Sequence, residues 1–423
     1  MFSLSVTAQT TTITIPDPTF KAFLVTHYDT SHDGEIQVSE AQAVTGTMKI
    51  PGYSNITDLT GIEYFTGITG LDCSHEQLTS LDVSANTALK ILRCNDNQLT
   101  NLDVSGNKAS QYLACDGNKL TKLDVGTNTA LQTLSCQHNQ LIALDVSANT
   151  ALQYLDCKNN KLTSLDVSTN TALQTLRCND NQLTKLDVSG NKALRFLDCY
   201  SNQLTKLDVS GNKELQELGC FSNQLTKLNL SAGKNLLQSL YCSSNQLTKL
   251  DVSGNKALRM LRCSSNQLTK LDVSANTALY VLHCGRNQLT DIPDVTGCTG
   301  LYEYDCHGNY FNADDCPTIA AIEAMGLSTF IYNPQADGHT ITCSAGSGGS
   351  IHPTGAQVVY DGSSQIVHIS PSAHHHIADV LVDGRSVGAV TSYTFSNVTA
   401  DHTIRVTFEP MTSDKKPGSV HSS

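Results

Sequence analysis

The sequence predicts an α/β solenoid, a right-handed superhelix of short stacked turns. Two observations carry this prediction. Cysteine recurs every 21 residues over most of the chain, and the segment LTxLDVSxNTALxxLxCxxNQ repeats around it. Self-similarity at a fixed period is the signature of a repeat architecture, in which each unit buries its apolar side chains only against its neighbours.

The repeat matches a known apolar pattern. In one turn Leu89, Leu92, Cys94, Asn97 and Leu99 fall on the positions of LxxLxLxxNxL, the leucine-rich-repeat consensus, with cysteine in the third apolar position. Two of the later steps between cysteines are 22 residues long, so those turns must absorb one extra residue. The series consists of Cys73, Cys94, Cys115, Cys136, Cys157, Cys178, Cys199, Cys220, Cys242, Cys263, Cys284 and Cys306.

Stacking of such turns predicts one short parallel strand per turn around Leu-x-Cys and a continuous interior of leucine and cysteine. Asn97 and Asn118 begin a series of asparagines at the bend after each cysteine, where a buried amide can pair with backbone groups that the turn leaves free. Asn86 and Asn107 begin a second series in the other half-turn, and Cys298 takes that position near its end.

The cysteines of the series are predicted to be free and buried. Neighbouring parallel strands lie about 4.8 Å apart with parallel Cβ vectors, whereas a disulfide needs Cβ atoms about 3.8 Å apart and turned toward each other. A file of thiols without adjacent His or acid also lacks the tetrahedral convergence of a metal site, so neither redox nor metal chemistry is expected there. Cys316 and Cys343 lie outside the series, and a disulfide between them stays open.

The segment before the first turn predicts a helical cap with an EF-hand-like loop. Phe20, Phe23 and Leu24 have the spacing of a short amphipathic helix. The following DTSHDGEIQVSE fits the calcium loop, with Gly34 at the turn and Ile36 as the apolar anchor. A loop that folds without metal is the alternative. The predicted ligands of a structural Ca²⁺ are Asp29, Ser31, Asp33, Glu35 through its carbonyl group, and Glu40.

The segments after the last turn predict a second cap and a separate domain. Residues 315–325 have the pattern of a capping helix that turns Ile319, Ile322 and Met325 toward the solenoid. From about residue 337, β-branched segments alternate with Gly turns, which predicts a small immunoglobulin-like β-sandwich. The histidine run at 374–376 is not expected to bind metal, because adjacent residues of an extended segment point to opposite sides.

These signals divide the chain into five segments. The first of them has the apolar and then small residues that end a secretory signal peptide, which predicts export. The segments are residues 1–9, signal-peptide-like; 10–59, the cap with its EF-hand-like loop; 60–336, the solenoid with its capping helix; 337–411, the immunoglobulin-like domain; and 412–423, a linker.

Composition and motifs argue against several classes of function. The 27 Lys and Arg against 39 Asp and Glu give a net charge of −12, whereas nucleic acids and anionic membranes need a basic surface. No apolar run reaches the roughly 18 residues of a membrane span. The sequence holds no Ser/His/Asp set, no HExxH and no phosphate loop, so we do not expect an enzyme. The repeated Thr-Lys-Leu-Asp between Lys185 and Asp272 forms outward rows of mixed charge, which are typical of a solvated face.

The predicted ligand-binding surface is the concave side of the solenoid, where the outward positions of the strands meet. Most turns place small polar side chains there, but the middle turns place aromatic and charged ones, which interfaces favour. Tyr200, Phe221 and Tyr241 are expected to form one patch. The alternative is that they are ordinary scattered surface aromatics. The predicted binding residues are Phe196, Asp198, Tyr200, Phe221, Tyr241, Met260 and Arg262.

The cysteine-bearing 21-residue repeats, the EF-hand-like cap and the C-terminal domain together resemble the internalins over roughly residues 12–410, most specifically in LTKLDVSGNKALRFLDCYSNQ. The resemblance implies a non-enzymatic bacterial adhesin or virulence factor, secreted or held at the cell surface, that contributes to attachment or biofilm formation. It implies a protein or glycan partner on host cells, mucus or neighbouring bacteria. A self-associating matrix or spacer protein without a specific host ligand is the alternative.

Overall fold

The computed structural model describes residues 11–230, 236–311, 316–332, 338–360 and 364–411. The chain divides into two compact units, of which the first comprises Met1–Cys306 with Asn312–Ile331 and the second His307–Phe311 with Tyr332–Ser423. The signal-peptide-like segment and the C-terminal linker predicted from the sequence lie outside the described residues.

The first unit begins with a short helical region. Asp17 caps its first helix, because its Oδ1 atom accepts the backbone N–H groups of Thr19 and Phe20 at 2.9 and 3.0 Å. Phe20 and Leu24 are fully buried, as their spacing predicts. The elements are helix α1, Pro18–Tyr28; helix α2, Val38–Ala43; strand β1, Gly46–Lys49; and a 3₁₀ turn, Ile62–Tyr64.

The repeats build one parallel sheet of fourteen strands in the order β1 to β8, β10, and β12 to β16, and β9 and β11 form a separate two-stranded sheet. Each repeat strand of the large sheet ends at the residue before its cysteine, which confirms the predicted strand per turn. The strands are β2, Ile68–Asp72; β3, Ile91–Arg93; β4, Tyr112–Ala114; β5, Thr133–Ser135; β6, Tyr154–Asp156; β7, Thr175–Arg177; β8, Phe196–Asp198; β9, Lys206–Asp208; β10, Glu217–Gly219; β11, Lys227–Asn229; β12, Ser239–Tyr241; β13, Met260–Arg262; β14, Val281–His283; β15, Glu303–Asp305; and β16, Thr329–Ile331.

Leucine and cysteine form the interior of the repeats. Leu92 and Cys94 are buried, and the strands pair in register, so equivalent side chains of the next turns stack on them. Two residues after each cysteine the backbone turns through a left-handed conformation, with φ of 53° at Asp96, 52° at His138 and 63° at Gly117. This residue turns the chain at the bend that follows each cysteine of the series.

The asparagine series after the cysteines pairs with backbone groups of two turns, as predicted. The Nδ2 atom of Asn97 donates to the carbonyl groups of Cys73 and Cys94 at 2.9 and 3.1 Å, and its Oδ1 atom accepts the N–H group of Leu78 at 2.9 Å. In the second series, Asn107 donates to two carbonyl groups of the preceding turn at 2.9 and 3.0 Å. These bonds fasten each turn to the one before it.

A helix follows the last turn in the first unit. Helix α3 spans Cys316–Glu323, and Gly326, with φ of 66°, lies just beyond it. Ile322 is fully buried, whereas Ile319 and Met325 are partly exposed. The predicted helix is therefore present and two residues shorter at its C-terminal end, while its first predicted residue, at position 315, lies outside the described residues.

The second unit consists of two β-sheets. One has five strands in the order β19–β17–β24–β21–β22 and the other has three, β18–β20–β23. Both contribute to one core that includes Ile341, Val367, Val380 and Ile404, and all pairs are antiparallel except β17 with β24. The immunoglobulin-like topology of this unit stays a prediction. The strands are β17, Gly338–Ala345; β18, Gly349–His352; β19, Gly355–Tyr360; β20, Gln365–Pro371; β21, His375–Val382; β22, Arg385–Ser386; β23, Ser392–Phe395; and β24, His402–Pro410.

Candidate binding surface

The outward face of the fourteen-stranded sheet carries continuous files of side chains, because equivalent positions of successive turns pair in register. The position before each cysteine forms what we call the central file, which consists of acidic, basic and small residues and one tyrosine. Its members are Asp72, Arg93, Ala114, Ser135, Asp156, Arg177, Asp198, Gly219, Tyr241, Arg262, His283 and Asp305.

An aromatic pair lies beside the middle of this file. The rings of Tyr200 and Phe221, each one position after its cysteine on neighbouring turns, stack with centroids 4.2 Å apart and planes 10° apart. Phe196 is 38% exposed and lies at the other end of the same strand segment, with Asp198 between it and Tyr200. Of the four predicted aromatic residues, the structure therefore stacks Tyr200 on Phe221, and Phe196 lies apart from that pair.

Tyr241 belongs to a different group from the one the sequence predicts. Its register partners are Gly219 and Arg262, so it lies in the central file and not in line with Tyr200 and Phe221. Its hydroxyl group contacts the sulfur of Met260 at 3.6 Å, and the guanidinium group of Arg262 lies 6.0 Å from its ring centroid. The single predicted patch is thus two groups, because strand register places these side chains two positions apart.

A charged cluster borders the aromatic pair, and Asp198 is the one member of it that the sequence predicts as a binding residue. The Nη1 atom of Arg177 lies 3.2 Å from the hydroxyl group of Tyr154 and 3.9 Å from Oδ2 of Asp156, while its Nε atom lies 3.6 Å from Oδ2 of Asp198. Lys158 approaches Asp156 at 3.9 Å. Acid, base and acid at successive steps of 21 residues are the sequence signal that could have found this cluster.

Desolvation dominates the electrostatics of this cluster. Burial raises the pKa of the Asp156 carboxyl group, and Lys158 and Arg177 lower it only in part. Burial also raises the pKa of Asp198, Arg177 opposes that shift, and the negative charges of Glu217 and Asp156 add to it. Carboxylates that are desolvated and near one another favour the approach of a further cation.

The carboxylates of the cap loop accept hydrogen bonds from the loop's own backbone. Asp29 accepts the backbone N–H groups of His32 and Gly34 at 2.6 and 2.9 Å, and Asp33 accepts the N–H group two residues ahead at 2.9 Å. Glu40 accepts the N–H groups at positions 30 and 31, both at 2.8 Å, and the one at position 37 at 3.0 Å. In this conformation the loop is held together by hydrogen bonds to its acidic side chains.

The two remaining predicted calcium ligands behave differently. The hydroxyl group of Ser31 lies 3.1 Å from Oδ1 of Asp29, whereas the side chain of Glu35 pairs with Lys21 at 2.7 Å, which leaves its carbonyl group as the predicted contributor. Over residues 11–230 and the other described ranges, no three or more His, Cys, Asp or Glu side chains form a group that could hold a metal ion. The all-oxygen set of the loop nevertheless suits a hard cation, and calcium binding stays a prediction.

The cysteine ladder has the chemistry expected of packing residues. From Cys73 to Cys263 the thiols are free and fully buried, and burial raises the pKa of Cys242 to about 12. Cys298 occupies the asparagine position as predicted, and its sulfur donates to a carbonyl group at 3.5 Å. Cys343 is a buried free thiol, while the side chain of Cys316 lies outside the described residues.

The fold and the ladder define a leucine-rich-repeat protein of the cysteine-ladder class. A family model for two copies of leucine-rich repeats matches residues 129–170 and 171–212. The chain is similar to the functional domain of InlJ from Listeria monocytogenes, whose structure includes a cysteine ladder, at 26% identity and a TM-score of 0.62, covering 93% of this chain and 96% of that one. This similarity confirms the resemblance to the internalins that the sequence predicts.

Further comparisons bear on the fold. An internalin from Listeria monocytogenes, InlF, is 20% identical with a TM-score of 0.59, over 76% of this chain and 90% of that one, which supports the fold alone. Comparison with curated protein sequences gives no match.

Among the described helices, none is long and apolar enough to cross a membrane.

Proposed function

We propose that the protein is a non-enzymatic binding module that a bacterium exports and displays at its surface or secretes, where it contributes to attachment or biofilm formation. The internalin-like repeats support this proposal, since an open solenoid offers a long surface and few enclosed sites. The outward face of the sheet, which solenoid geometry predicts to be concave, carries the binding residues.

The observation that carries the proposal is the stacked pair of Tyr200 and Phe221 beside a charged cluster. Rings 4.2 Å apart restrict each other, so little side-chain entropy is lost when a partner packs on them. Three carboxylates, those of Asp156, Asp198 and Glu217, lie around Arg177 and Lys158, and burial partly desolvates the first two of them. A protein segment with an apolar side chain next to a lysine or arginine fits this combination of chemistry.

The test compares two stacked aromatic pairs on different repeats of the solenoid. The double substitution Tyr200→Ser and Phe221→Ser is expected to weaken binding to host cells or bacterial surfaces by at least about tenfold, since central aromatic residues contribute more than about 1 kcal/mol each. The matched control is Tyr280→Ser with Tyr302→Ser, whose rings also stack, at 5.2 Å, and are 46% and 48% exposed. Unchanged attachment by the first variant, or concentration-dependent self-association in place of surface binding, would overturn the proposal.

We also propose that the cap loop binds a structural calcium ion weakly. Calcium supplies one positive centre for carboxylates that otherwise share the loop's N–H groups. Its expected effect is to stabilise the cap on which the first repeat stacks. The proposed ligands are Asp29, Ser31, Asp33, the carbonyl group of Glu35, and Glu40.

A further inference from the structure

A separate groove opens at the N-terminal end of the repeat sheet, where β1, β2 and β3 meet. Its volume is about 430 Å³, within the roughly 300–1,000 Å³ that is usual for small-molecule sites. Its lining is unlike the rest of the sheet face, because it combines an aromatic ring, an imidazole, two cations and short polar groups. The residues used below are Lys49, Tyr53, Asp72, Ser74, His75, Arg93 and Asn95.

The aromatic wall of this groove is held open to solvent. Tyr53 is 79% exposed, and one face of its ring stacks on His75 with centroids 5.0 Å apart. Its φ of 66° is left-handed, and its N–H group donates to the His75 carbonyl at 2.8 Å. An aromatic residue keeps such a strained conformation only where its surroundings enforce it, so the backbone fixes the ring in this exposed position. Asp96 lies 3.2 Å from Nδ1 of His75 and orients the imidazole.

Two cationic side chains line the same groove as the ring. Lys49, Asp72 and Arg93 are register partners on β1, β2 and β3. Within the described part of the chain, the side chains of Lys49 and Arg93 form no hydrogen bond or ion pair, and the guanidinium group of Arg93 packs over the ring of Tyr112 at 4.6 Å. With Asp72 between them, these three side chains carry a net charge of +1, which favours an anionic group at this groove in a chain of net charge −12.

The rest of the groove is lined by short side chains whose oxygen atoms can accept hydrogen bonds. The hydroxyl group of Ser74 lies 2.5 Å from Oδ1 of Asp72 and 2.9 Å from Oδ1 of Asn95, which joins the three side chains into one polar strip. No bond is formed by Oδ2 of Asp72 within the described residues, so it can accept a further donor. Carboxylate, amide and hydroxyl oxygens side by side suit the hydroxyl groups of a ligand.

We propose that this N-terminal groove binds a sugar ring that carries a carboxylate, such as a uronic or sialic acid unit of a polysaccharide. The exposed face of Tyr53 packs on the apolar C–H face of the ring, Lys49 and Arg93 bind the carboxylate, and Asp72 accepts sugar hydroxyl groups. A neutral sugar leaves both cations unpaired, and an inorganic anion leaves the aromatic face without a partner.

The test is calorimetric titration of the whole protein with matched sugars. Digalacturonate is compared with its neutral methyl ester, and 3′-sialyllactose with lactose, so the two pairs separate uronic from sialic acid sources. We expect at least one acid to bind about tenfold or more tightly than its neutral counterpart. The double variant Lys49→Gln with Arg93→Gln is expected to remove that preference, and Tyr53→Ser to weaken binding of both members of a pair.

Controls separate this groove from the stacked pair of Tyr200 and Phe221. Tyr302→Ser removes an exposed ring elsewhere, and Tyr200→Ser with Phe221→Ser removes the stacked pair on the middle turns, so both variants are expected to leave sugar binding at this groove unchanged. Circular dichroism melting confirms that each variant is folded. The proposal is overturned if no acidic sugar binds, if acid and neutral sugars bind equally, or if the Tyr53 and Lys49/Arg93 variants bind like the unaltered protein.

Discussion

The asparagine after each cysteine connects two turns through a single side chain. In the middle of the solenoid, Asn160 accepts the N–H group of Leu141 at 2.9 Å and donates to the carbonyl groups of Cys136 and Cys157 at 3.1 and 3.0 Å. All of these groups are buried, and a buried backbone group without a partner costs about 1–3 kcal/mol. The recurring asparagine thus allows an apolar interior to contain a bent backbone.

We expect the substitution Asn160→Ala to lower the free energy of unfolding by roughly 3 kcal/mol, because it removes three hydrogen bonds from buried backbone groups. Urea unfolding followed by circular dichroism measures the effect. The control is Ser164→Ala in the same turn, an exposed position where a change within about 0.5 kcal/mol is expected. Equal stability of the two variants would contradict this role.

At this scale, the sequence predicts which residues point outward but not how they group. The period places Tyr200 and Phe221 together correctly. Tyr241 stands one position before its cysteine, whereas Tyr200 and Phe221 each stand one position after theirs, and this offset decides which side chains are its neighbours. Likewise Asp156 and Asp198 have equivalent positions, yet Asp156 is 1% exposed and Asp198 is partly exposed. Tyr154 and Lys158 lie against the side chain of Asp156 and cover it, and the packing that brings them there is visible only in the structure.

Among the elements, the cap loop and the outer half-turns use acidic side chains in the same way. In the outer rows of mixed charge, Asp187 and Asp208 each accept the N–H group of the serine two residues on, at 2.8 and 2.9 Å. In the cap, hydrogen bonds from the loop outweigh the desolvation that raises the pKa of Glu40, so its pKa is lowered. Helix propensity and motif spacing predict the helices and the loop of the cap. The hydrogen bonds to the acidic side chains follow from the three-dimensional structure and cannot be predicted from spacing alone.

Calcium is expected to stabilise this cap measurably. For a dissociation constant of about 1 mM, 10 mM calcium adds about 1.4 kcal/mol to the free energy of unfolding of the cap. Thermal melting with and without calcium tests this, with magnesium as the ionic control. Asp33→Asn is expected to abolish the increase, whereas Asp58→Asn, at a position outside the loop, is expected to keep it. An increase that persists in Asp33→Asn would exclude this site.

Across the whole molecule, the cysteine ladder makes repeat stacking depend on neutral thiols. Desolvation raises the pKa of the ladder cysteines, to about 12 at Cys242, and neighbouring thiols add to the shift at Cys94 and Cys136. The folded state therefore holds thiol protons that the unfolded state releases from about pH 9 upward. The period predicts this burial, because every repeat places its cysteine at the same interior position.

This linkage predicts a steep loss of stability in alkali. A pKa raised by folding contributes stability that is fully present below the unfolded value, near pH 9, and is lost as the pH rises toward the folded value. Above the unfolded pKa, each thiol can lower the free energy of unfolding by up to about 1.4 kcal/mol per pH unit. The twelve thiols together therefore have a larger effect than any single titrating group. Urea midpoints in reductant at pH 7, 8, 9 and 10 should fall sharply above pH 9. The triple variant Cys136→Ala, Cys157→Ala and Cys178→Ala should be less stable at pH 7 but fall less steeply, and an identical slope would show that the ladder thiols do not cause the alkaline transition.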